Sequence, residues 1–264
     1  MRTRRVTVPA MGVMAAVALA VSGCSADDAA APGSTVGTPA PSASSAAADP
    51  AAASALGTAA ATLGNTSFKV SLTAGSGVKV VGTIDAPNGR GTADLTATGS
   101  NTDLAVQTRL DGQDLYVQVP GITKAGTWTR IDVSRLPEGA NVGLRPGQID
   151  PANTAQLLAS TTDVQQVDPR NYRGTLDLTK AAGVAGVDPT LVKSAQAQNV
   201  PFTAGLDEQG RLSALTIQLP AVSGQQAQPL EVLYTDYGTK VEAQKPAATE
   251  ITEAPDSLYT SLGG

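Results

Sequence analysis

The sequence predicts an α+β fold built on a large, strongly curved antiparallel sheet with only a few helices. Three observations predict it. Apolar and polar residues alternate over most of the chain from Phe68 onward, as in strands with one buried face. Turn sequences such as Pro87-Asn88-Gly89 and Asp111-Gly112 separate these stretches. The helical segments are few and poor in large apolar residues, so they cannot cover the whole sheet.

The first residues have the layout of an export signal. Arg2, Arg4 and Arg5 precede an apolar run from Val8 to Val21, which is shorter than the roughly 20 residues that a membrane-spanning helix needs. The stretch Val21-Ser22-Gly23-Cys24 resembles the lipobox of bacterial lipoproteins, in which the cysteine receives a diacylglyceryl group and the signal is cut just before it. We therefore predict a signal peptide over 1–23, a lipid anchor on Cys24 and a location at the outer face of the cell membrane. An ordinary signal with a small-residue cleavage site, or a chance cysteine, would explain the same residues.

The segment 24–50 consists mainly of Ala, Ser, Pro, Gly, Thr and Asp and has no periodic apolar face. It is predicted to be a disordered tether. Without the three signal arginines, 15 of the 18 basic residues remain against 23 acidic ones, and the formal charge moves from −5 to −8. A chain with this net negative charge is a poor ligand for nucleic acid or anionic lipid. Its residence at the membrane therefore depends on the lipid anchor. The roughly 210 remaining residues suffice for one domain, which we expect to be monomeric.

The folded domain is predicted over 51–245, beginning with an alanine-rich helix from Ala51 to Leu63 that ends at Gly64-Asn65. A first antiparallel meander follows, and a second one closes the domain. The stretches with strand periodicity are Phe68–Leu72, Val78–Ile84, the return strand with Leu95, Leu104–Leu110, Leu115–Val119, Trp128–Val133, Val164–Val167, Tyr172–Leu178, Val200–Leu206, Leu212–Leu219 and Leu230–Tyr237.

Helices are predicted between the two meanders. Pro151 to Ser160 indicates one short helix, and Thr179 to Gln198, interrupted by Gly183, Gly186 and Pro189, indicates one or two broken helices. The tail over 246–264 is expected to be irregular, with Leu258-Tyr259 packing back onto the domain.

Several short stretches between Ala51 and Tyr237 resemble the actinobacterial LppX/LprG-type lipoproteins, whose fold is like that of LolA and LolB. They are Asn65-Thr66-Ser67-Phe68, Asp111-Gly112-Gln113-Asp114-Leu115-Tyr116-Val117, Trp128-Thr129-Arg130-Ile131-Asp132, Tyr172-Arg173-Gly174-Thr175-Leu176-Asp177, Val200-Pro201-Phe202-Thr203-Ala204-Gly205-Leu206-Asp207 and Gly210-Arg211-Leu212. The resemblance implies a half-barrel with helices over its concave face, and a lipid or lipoglycan held by its acyl chains and carried or presented in the cell envelope.

On that resemblance the inward apolar residues become candidate walls of a lipid cavity, although each also fits a plain packed core. They are Phe68, Val70, Leu72, Val80, Leu104, Val106, Leu115, Val117, Leu176, Phe202, Leu206, Leu215 and Ile217. Trp128 is expected at the sheet rim in a structural role. Holding acyl chains needs buried apolar surface, about 0.8 kcal/mol per CH₂, and no cofactor or metal.

The residue content argues against an enzyme. The chain has no histidine and one cysteine, which excludes Ser-His-Asp and Cys-His sites and an intramolecular disulfide. The acidic residues Asp103, Asp111, Asp114, Asp207 and Glu208 fall at predicted turns or on wet faces, and Lys193-Ser194 or Ser71 near Lys69 lacks a supporting motif. The alternative to a lipid carrier is a membrane-tethered sensor or scaffold that binds another envelope protein through a filled sheet.

Overall fold

The computed structural model describes residues 49–99, 103–121, 123–136, 144–145, 148–149, 154–180, 189–193, 195–221 and 226–261. The predicted signal peptide, Cys24 and all of the predicted tether before Asp49 lie outside the described residues, as do parts of the middle segment.

The described residues form four α-helices and fourteen strands. The helices are α1 (Pro50–Thr62), α2 (Thr154–Ala159), α3 (Pro189–Val192) and α4 (Asp256–Ser261). The strands are β1 (Ser67–Ala74), β2 (Val78–Asp85), β3 (Arg90–Thr98), β4 (Asp103–Asp111), β5 (Asp114–Gln118), β6 (Trp128–Asp132), β7 (Leu144–Arg145), β8 (Gln148–Ile149), β9 (Gln165–Asp168), β10 (Asn171–Leu176), β11 (Val200–Leu206), β12 (Leu212–Leu219), β13 (Gln228–Thr235) and β14 (Ile251–Glu253).

Twelve strands form one open sheet in the order β14-β6-β5-β4-β3-β2-β1-β13-β12-β11-β10-β9, and β7 and β8 form a separate pair. The two predicted meanders are present, and β1 joins them by pairing with β13 from Lys69↔Thr235 to Ala74↔Leu230. All pairs in the large sheet are antiparallel except β14 with β6. The predicted α+β class with a large antiparallel sheet and few helices is therefore confirmed.

The strand register places apolar residues on one face, here called the inner face. Val70 lies opposite Tyr234 and Gly82, and Leu72 lies opposite Val232 and Val80, so side chains of one face follow each other across the strands. Phe68, Leu72, Leu215 and Ile217 are buried in a single core with the apolar residues of the helices. Burying this alternating face is what fixes the register, since a shift by one residue would expose it.

Helix α1 begins one residue before the predicted position. The Asp49 side chain accepts hydrogen bonds from the backbone N–H groups of Ala51 and Ala52, and Pro50 occupies the first turn, where its missing N–H costs nothing. Leu63 opens a short 3₁₀ turn that replaces the predicted end of the helix. The helix contacts α2, β12 and β9, and Ala52, Leu56, Ala59 and Ala60 are its buried residues.

The middle of the chain supplies further cover for the sheet. Helix α2 buries Leu157 and Leu158, and the hydroxyl groups of its Thr154 and of Tyr234 on β13 share a hydrogen bond in the core. The broken helices predicted over Thr179–Gln198 correspond, among the described residues, to α3 and to 3₁₀ turns at Leu178–Lys180 and Ala195–Gln198.

The prediction of an irregular tail is wrong. Residues 238–261, here called the C-terminal strap, run to β14, which pairs in parallel with β6, and end in α4. Three residues are too few to show a strand period, which is why the pattern missed β14. The expected packing of the tail is confirmed, because Tyr259 is buried and its hydroxyl accepts a hydrogen bond from the backbone N–H of Asp132 at 2.9 Å.

Candidate functional site

The inner face of the sheet carries no formal charge among the described strand residues. Following the register from β9 to β14, its positions are occupied by aliphatic residues, glycine, alanine, threonine, serine, glutamine and the aromatic residues Phe68, Phe202, Tyr172 and Tyr234. Arginine, lysine and carboxylate side chains of these strands lie on the opposite, outer face. A ligand on the inner face would therefore meet mostly apolar groups, which suits hydrocarbon and not an ion.

Burial varies along this face. The residues of β1, such as Leu72, are fully buried, whereas Leu104 at the start of β4 leaves 38% of its surface exposed. The neighbours of Leu104 across the strands, Ala97 and Val78, are partly exposed as well. Some apolar residues of the inner face are incompletely covered. They are here called the open-end patch, after the end of the sheet at which β2 and β4 begin, and they are Val78, Leu95, Ala97, Leu104, Val106 and Val117.

The open-end patch lies where the described helices give least cover. Helix α1 contacts β9 and β12, and α2 bonds to β13, so both serve the half of the sheet formed by β9–β13. The patch belongs to β2–β5, in the other half. Among the described residues, this patch offers partly exposed apolar surface at one end of a charge-free sheet face.

The predicted cavity walls divide into two groups. Twelve of the thirteen share the inner face, and nine of these are buried core residues: Phe68, Val70, Leu72, Val80, Leu115, Leu176, Phe202, Leu215 and Ile217. Leu104, Val106 and Val117 belong to the open-end patch. The pairing of β11 with β12 shifts register between Gly205 and Leu206. The alternation of inner and outer side chains along β11 therefore does not extend to Leu206, which is partly buried.

Sequence reasoning did not include Val78, Leu95 and Ala97 among the wall candidates. Their signal was available only through pairing, because Val78 lies opposite Ala97 and Ala97 lies opposite Leu104. A register fixed from the turn at Pro87-Asn88-Gly89 would have placed Val78 opposite Ala97, but only the pairing of β3 with β4 brings Ala97 opposite Leu104 and Leu95 opposite Val106.

Four of the five acidic residues weighed for catalysis take part in ion pairs with arginine, and the fifth, Asp103, is exposed at the start of β4. Asp111 pairs with Arg90 at 3.0 Å, Asp207 with Arg211 at 2.7 Å, and Glu208 with Arg170 at 3.7 Å. Burial alone would raise the pKa of Asp207, but hydrogen bonds from the backbone and side chain of Arg211 outweigh it and hold the pKa below its ordinary value. The Asp207 carboxylate therefore stays ionised, and the backbone N–H groups of Gln209 and Arg211 donate hydrogen bonds to it across the turn between β11 and β12.

Asp114 is the centre of a denser polar cluster on the outer face. Its carboxylate lies 2.7 Å from Arg130 and 3.7 Å from Lys245, and it accepts a hydrogen bond from the Tyr116 hydroxyl. Burial alone would raise the pKa of Asp114; hydrogen bonds from Arg130 and Tyr116, with the two positive charges, outweigh it and lower the pKa below its ordinary value. Burial raises the pKa of the Tyr116 hydroxyl, so it remains protonated and donates the bond. These hydrogen bonds and ion pairs form a network whose role is to stabilise the fold.

The outer face near β6 is covered by the C-terminal strap. Tyr116 is 0% exposed and Trp128 is 6% exposed, although both lie on the outer face. The Arg109 guanidinium lies 4.4 Å from the centre of the Trp128 ring and donates a hydrogen bond to the Gln244 carbonyl of the strap. The expected structural role of Trp128 thus has a geometric basis in its stacking under Arg109.

Comparisons add no relative. Known protein-family models match no part of the chain, and no curated protein is significantly similar in sequence. Among the described residues, no helix has the length and hydropathy to cross a membrane. Within that same part of the chain, no three His, Cys, Asp or Glu side chains come together as metal ligands.

Proposed function

We propose that this protein is a lipid-anchored envelope protein that binds the acyl chains of a lipid or lipoglycan on the inner face of its sheet. The observation that carries the proposal is the open-end patch, in which Leu104 and its partly exposed neighbours continue a face without formal charge. Each CH₂ buried there would contribute about 0.8 kcal/mol toward removing the chain from a bilayer.

The finer points of the proposal rest on the sequence. The lipobox-like Val21-Ser22-Gly23-Cys24 supports acylation of Cys24 and residence at the outer face of the cell membrane. The order of two meanders joined into one open sheet supports a half-barrel of the LolA and LolB type, as the resemblance to the LppX/LprG-type lipoproteins implies.

Native mass spectrometry of the exported Cys24→Ser chain tests the binding. We expect a fraction of the protein to carry an added mass that dissociates on activation and is identified as an acylated lipid. Leu104→Asp should abolish that added mass because it places a charge in the patch. Leu233→Asp is the matched control, since Leu233 is a 51% exposed leucine on the outer face. A bare polypeptide mass, with no response to added fluorescent acyl lipids, would refute the proposal.

Exposed apolar side chains on the outer face favour a second candidate function, that of a scaffold or sensor. Val81 and Leu233 are 45% and 51% exposed, and both lie opposite Ser71 in the register, so two large apolar side chains flank one strand. Cross-linking in the envelope through a photoreactive residue at Val81 would test it. Capture of one specific protein there, together with an empty inner face, would favour the scaffold.

A further inference from the structure

The two ends of the large sheet differ in the connections that they carry. Short turns join β2 to β3, β4 to β5, β9 to β10 and β11 to β12 at one end, here called the turn end. The connections 75–77, 99–102, 119–127, 177–199 and 220–227 join strands at the other end, here called the open end. The open-end patch lies toward this second end, because Val78 and Leu104 stand at or next to the first residues of β2 and β4.

The described part of the chain also begins at the open end. The backbone N–H of Asp49 donates a hydrogen bond to the Val164 carbonyl at 2.9 Å, immediately before β9. Strand β9 starts at the open end, since it runs from there to the turn at 169–170. Helix α1 then carries the chain from Asp49 to β1, which starts at the turn end. The polypeptide that leads back to Cys24 thus departs from the same end as the apolar patch.

Burial, rather than charge, separates the two ends. Every one of the four short turns has an aspartate at its start that accepts hydrogen bonds: Asp85, Asp111, Asp168 and Asp207. The open end carries Lys124 and Lys193 together with carboxylates in or beside its connections: Asp103, Asp163, Asp177 and Glu250. At the turn end the inner-face residues Phe68, Ile84 and Leu110 are fully buried, whereas Val78 and Leu104 at the open end are partly or well exposed.

We propose that the anchored domain faces the bilayer with its open end. This rests on the proposed acylation of Cys24 and makes the lipid surface the partner of the open end. A random coil of about 25 residues would have a root-mean-square length of about 25–30 Å. That is close to the roughly 27 Å length of an eight-residue strand, so the tether alone permits either end to approach. The placement of Asp49 and the exposure of the inner face at the open end select that end.

The geometry gives the lipid a short path. An acyl chain leaving the bilayer would meet Leu104 and Ala97 before it reached the buried residues of the inner face. With the turn end down, the same chain would first meet Phe68, Ile84 and Leu110, which are fully buried and leave no exposed apolar surface.

Site-specific quenching on the full acylated chain tests this orientation. Acylation blocks Cys24, so one introduced cysteine can be labelled with a fluorophore: Ser76→Cys or Lys124→Cys at the open end, and Gln113→Cys or Gln209→Cys as matched controls at the turn end. All four side chains are exposed. The proteins are placed in phosphatidylethanolamine–phosphatidylglycerol vesicles with or without nitroxide-labelled head groups.

We expect loss of fluorescence at Ser76→Cys and Lys124→Cys and unchanged fluorescence at the two controls. Equal quenching at all four sites, stronger quenching at the controls, or none at any site overturns the orientation. A mass of the N-terminal peptide without acyl groups overturns it as well. Native mass spectrometry measures lipid binding separately from quenching. The proposed orientation can therefore be refuted while lipid binding is observed, and lipid binding can be refuted while the orientation is observed.

Discussion

Arg130 on β6 holds Asp114 on the neighbouring strand β5, with 2.7 Å between Nη2 and Oδ1. The same guanidinium reaches Glu253 of β14 through Nη1 at 3.0 Å. One arginine therefore ties the first meander to the C-terminal strap, and Lys245 of the strap approaches Asp114 from another side at 3.7 Å. The parallel strand β14 is only three residues long, so these side chains supply much of what fixes it.

Asp114→Asn should lower the free energy of unfolding at about pH 7 by roughly 1–2 kcal/mol, because charge-assisted hydrogen bonds are lost. The folded-state pKa of Asp114 lies below its ordinary value of 3.8, so its contribution is present above about pH 4 and is lost as pH falls through the folded pKa. Urea titrations at neutral and strongly acidic pH should show the difference between the two proteins shrinking on acidification. Asp111→Asn, in an exposed pair with Arg90, is the control and should cost less than about 0.5 kcal/mol.

Leu104→Asp should weaken the binding of a fluorescent fatty-acyl lipid by at least about tenfold, since a carboxylate would have to be desolvated in the patch. Leu233→Asp should leave the affinity within about twofold, because surface changes away from a site have small effects. Unfolding curves of both variants should be close to that of the parent. Equal loss of affinity in the two variants would show that the inner face is not the binding surface.

Tryptophan substitutions should separate the patch from the core. Leu176 is fully buried, so Leu176→Trp should cost roughly 1–3 kcal/mol of unfolding free energy. Val106 is partly exposed, and Val106→Trp should cost under about 1 kcal/mol while filling the patch and displacing lipid. Thermal unfolding and native mass spectrometry measure the two effects. The distinction fails if both variants are equally destabilised.

Tyr259 should be the main anchor of the end of the strap. Its ring lies under Arg135, with 4.1 Å from the guanidinium carbon to the ring centre, and its hydroxyl accepts from Asp132 N–H. We expect Tyr259→Phe to cost about 1 kcal/mol and Tyr259→Ala about 3 kcal/mol. Limited proteolysis should then cut the strap first, whereas Ser257→Ala, at an exposed position of α4, should leave the digestion pattern unchanged.

Local pattern was enough to predict most strands of the sheet. β11 and β12 occupy the predicted residues, because period-two alternation between clear turns leaves little choice. Pairings between distant segments were not predictable in this way. Nothing near Val70 indicates that Tyr234 will lie beside it, and the burial of Tyr116 on the outer face depends on a strap more than a hundred residues further along the chain.

The candidate site shows the same division. Alternation predicted which residues share the inner face, but it could not tell the buried Leu115 from the exposed Leu104, since both are aliphatic residues in strands. Their difference arises from where the helices lie over the sheet, and helix placement is decided by packing between distant segments.

The pairing of β1 with β13 has a consequence for how the chain reaches its final state. A chain exported from its N-terminus would deliver β1 and β2 early, while the partner of Lys69 on the other edge of β1 is Thr235. Until that late segment arrives, the N–H and C=O groups along this edge are unpaired and open to other chains. We expect closure of this long-range pair to limit the rate of folding. Stopped-flow refolding followed at Tyr234 and at a label on β1 should therefore show one shared slow phase.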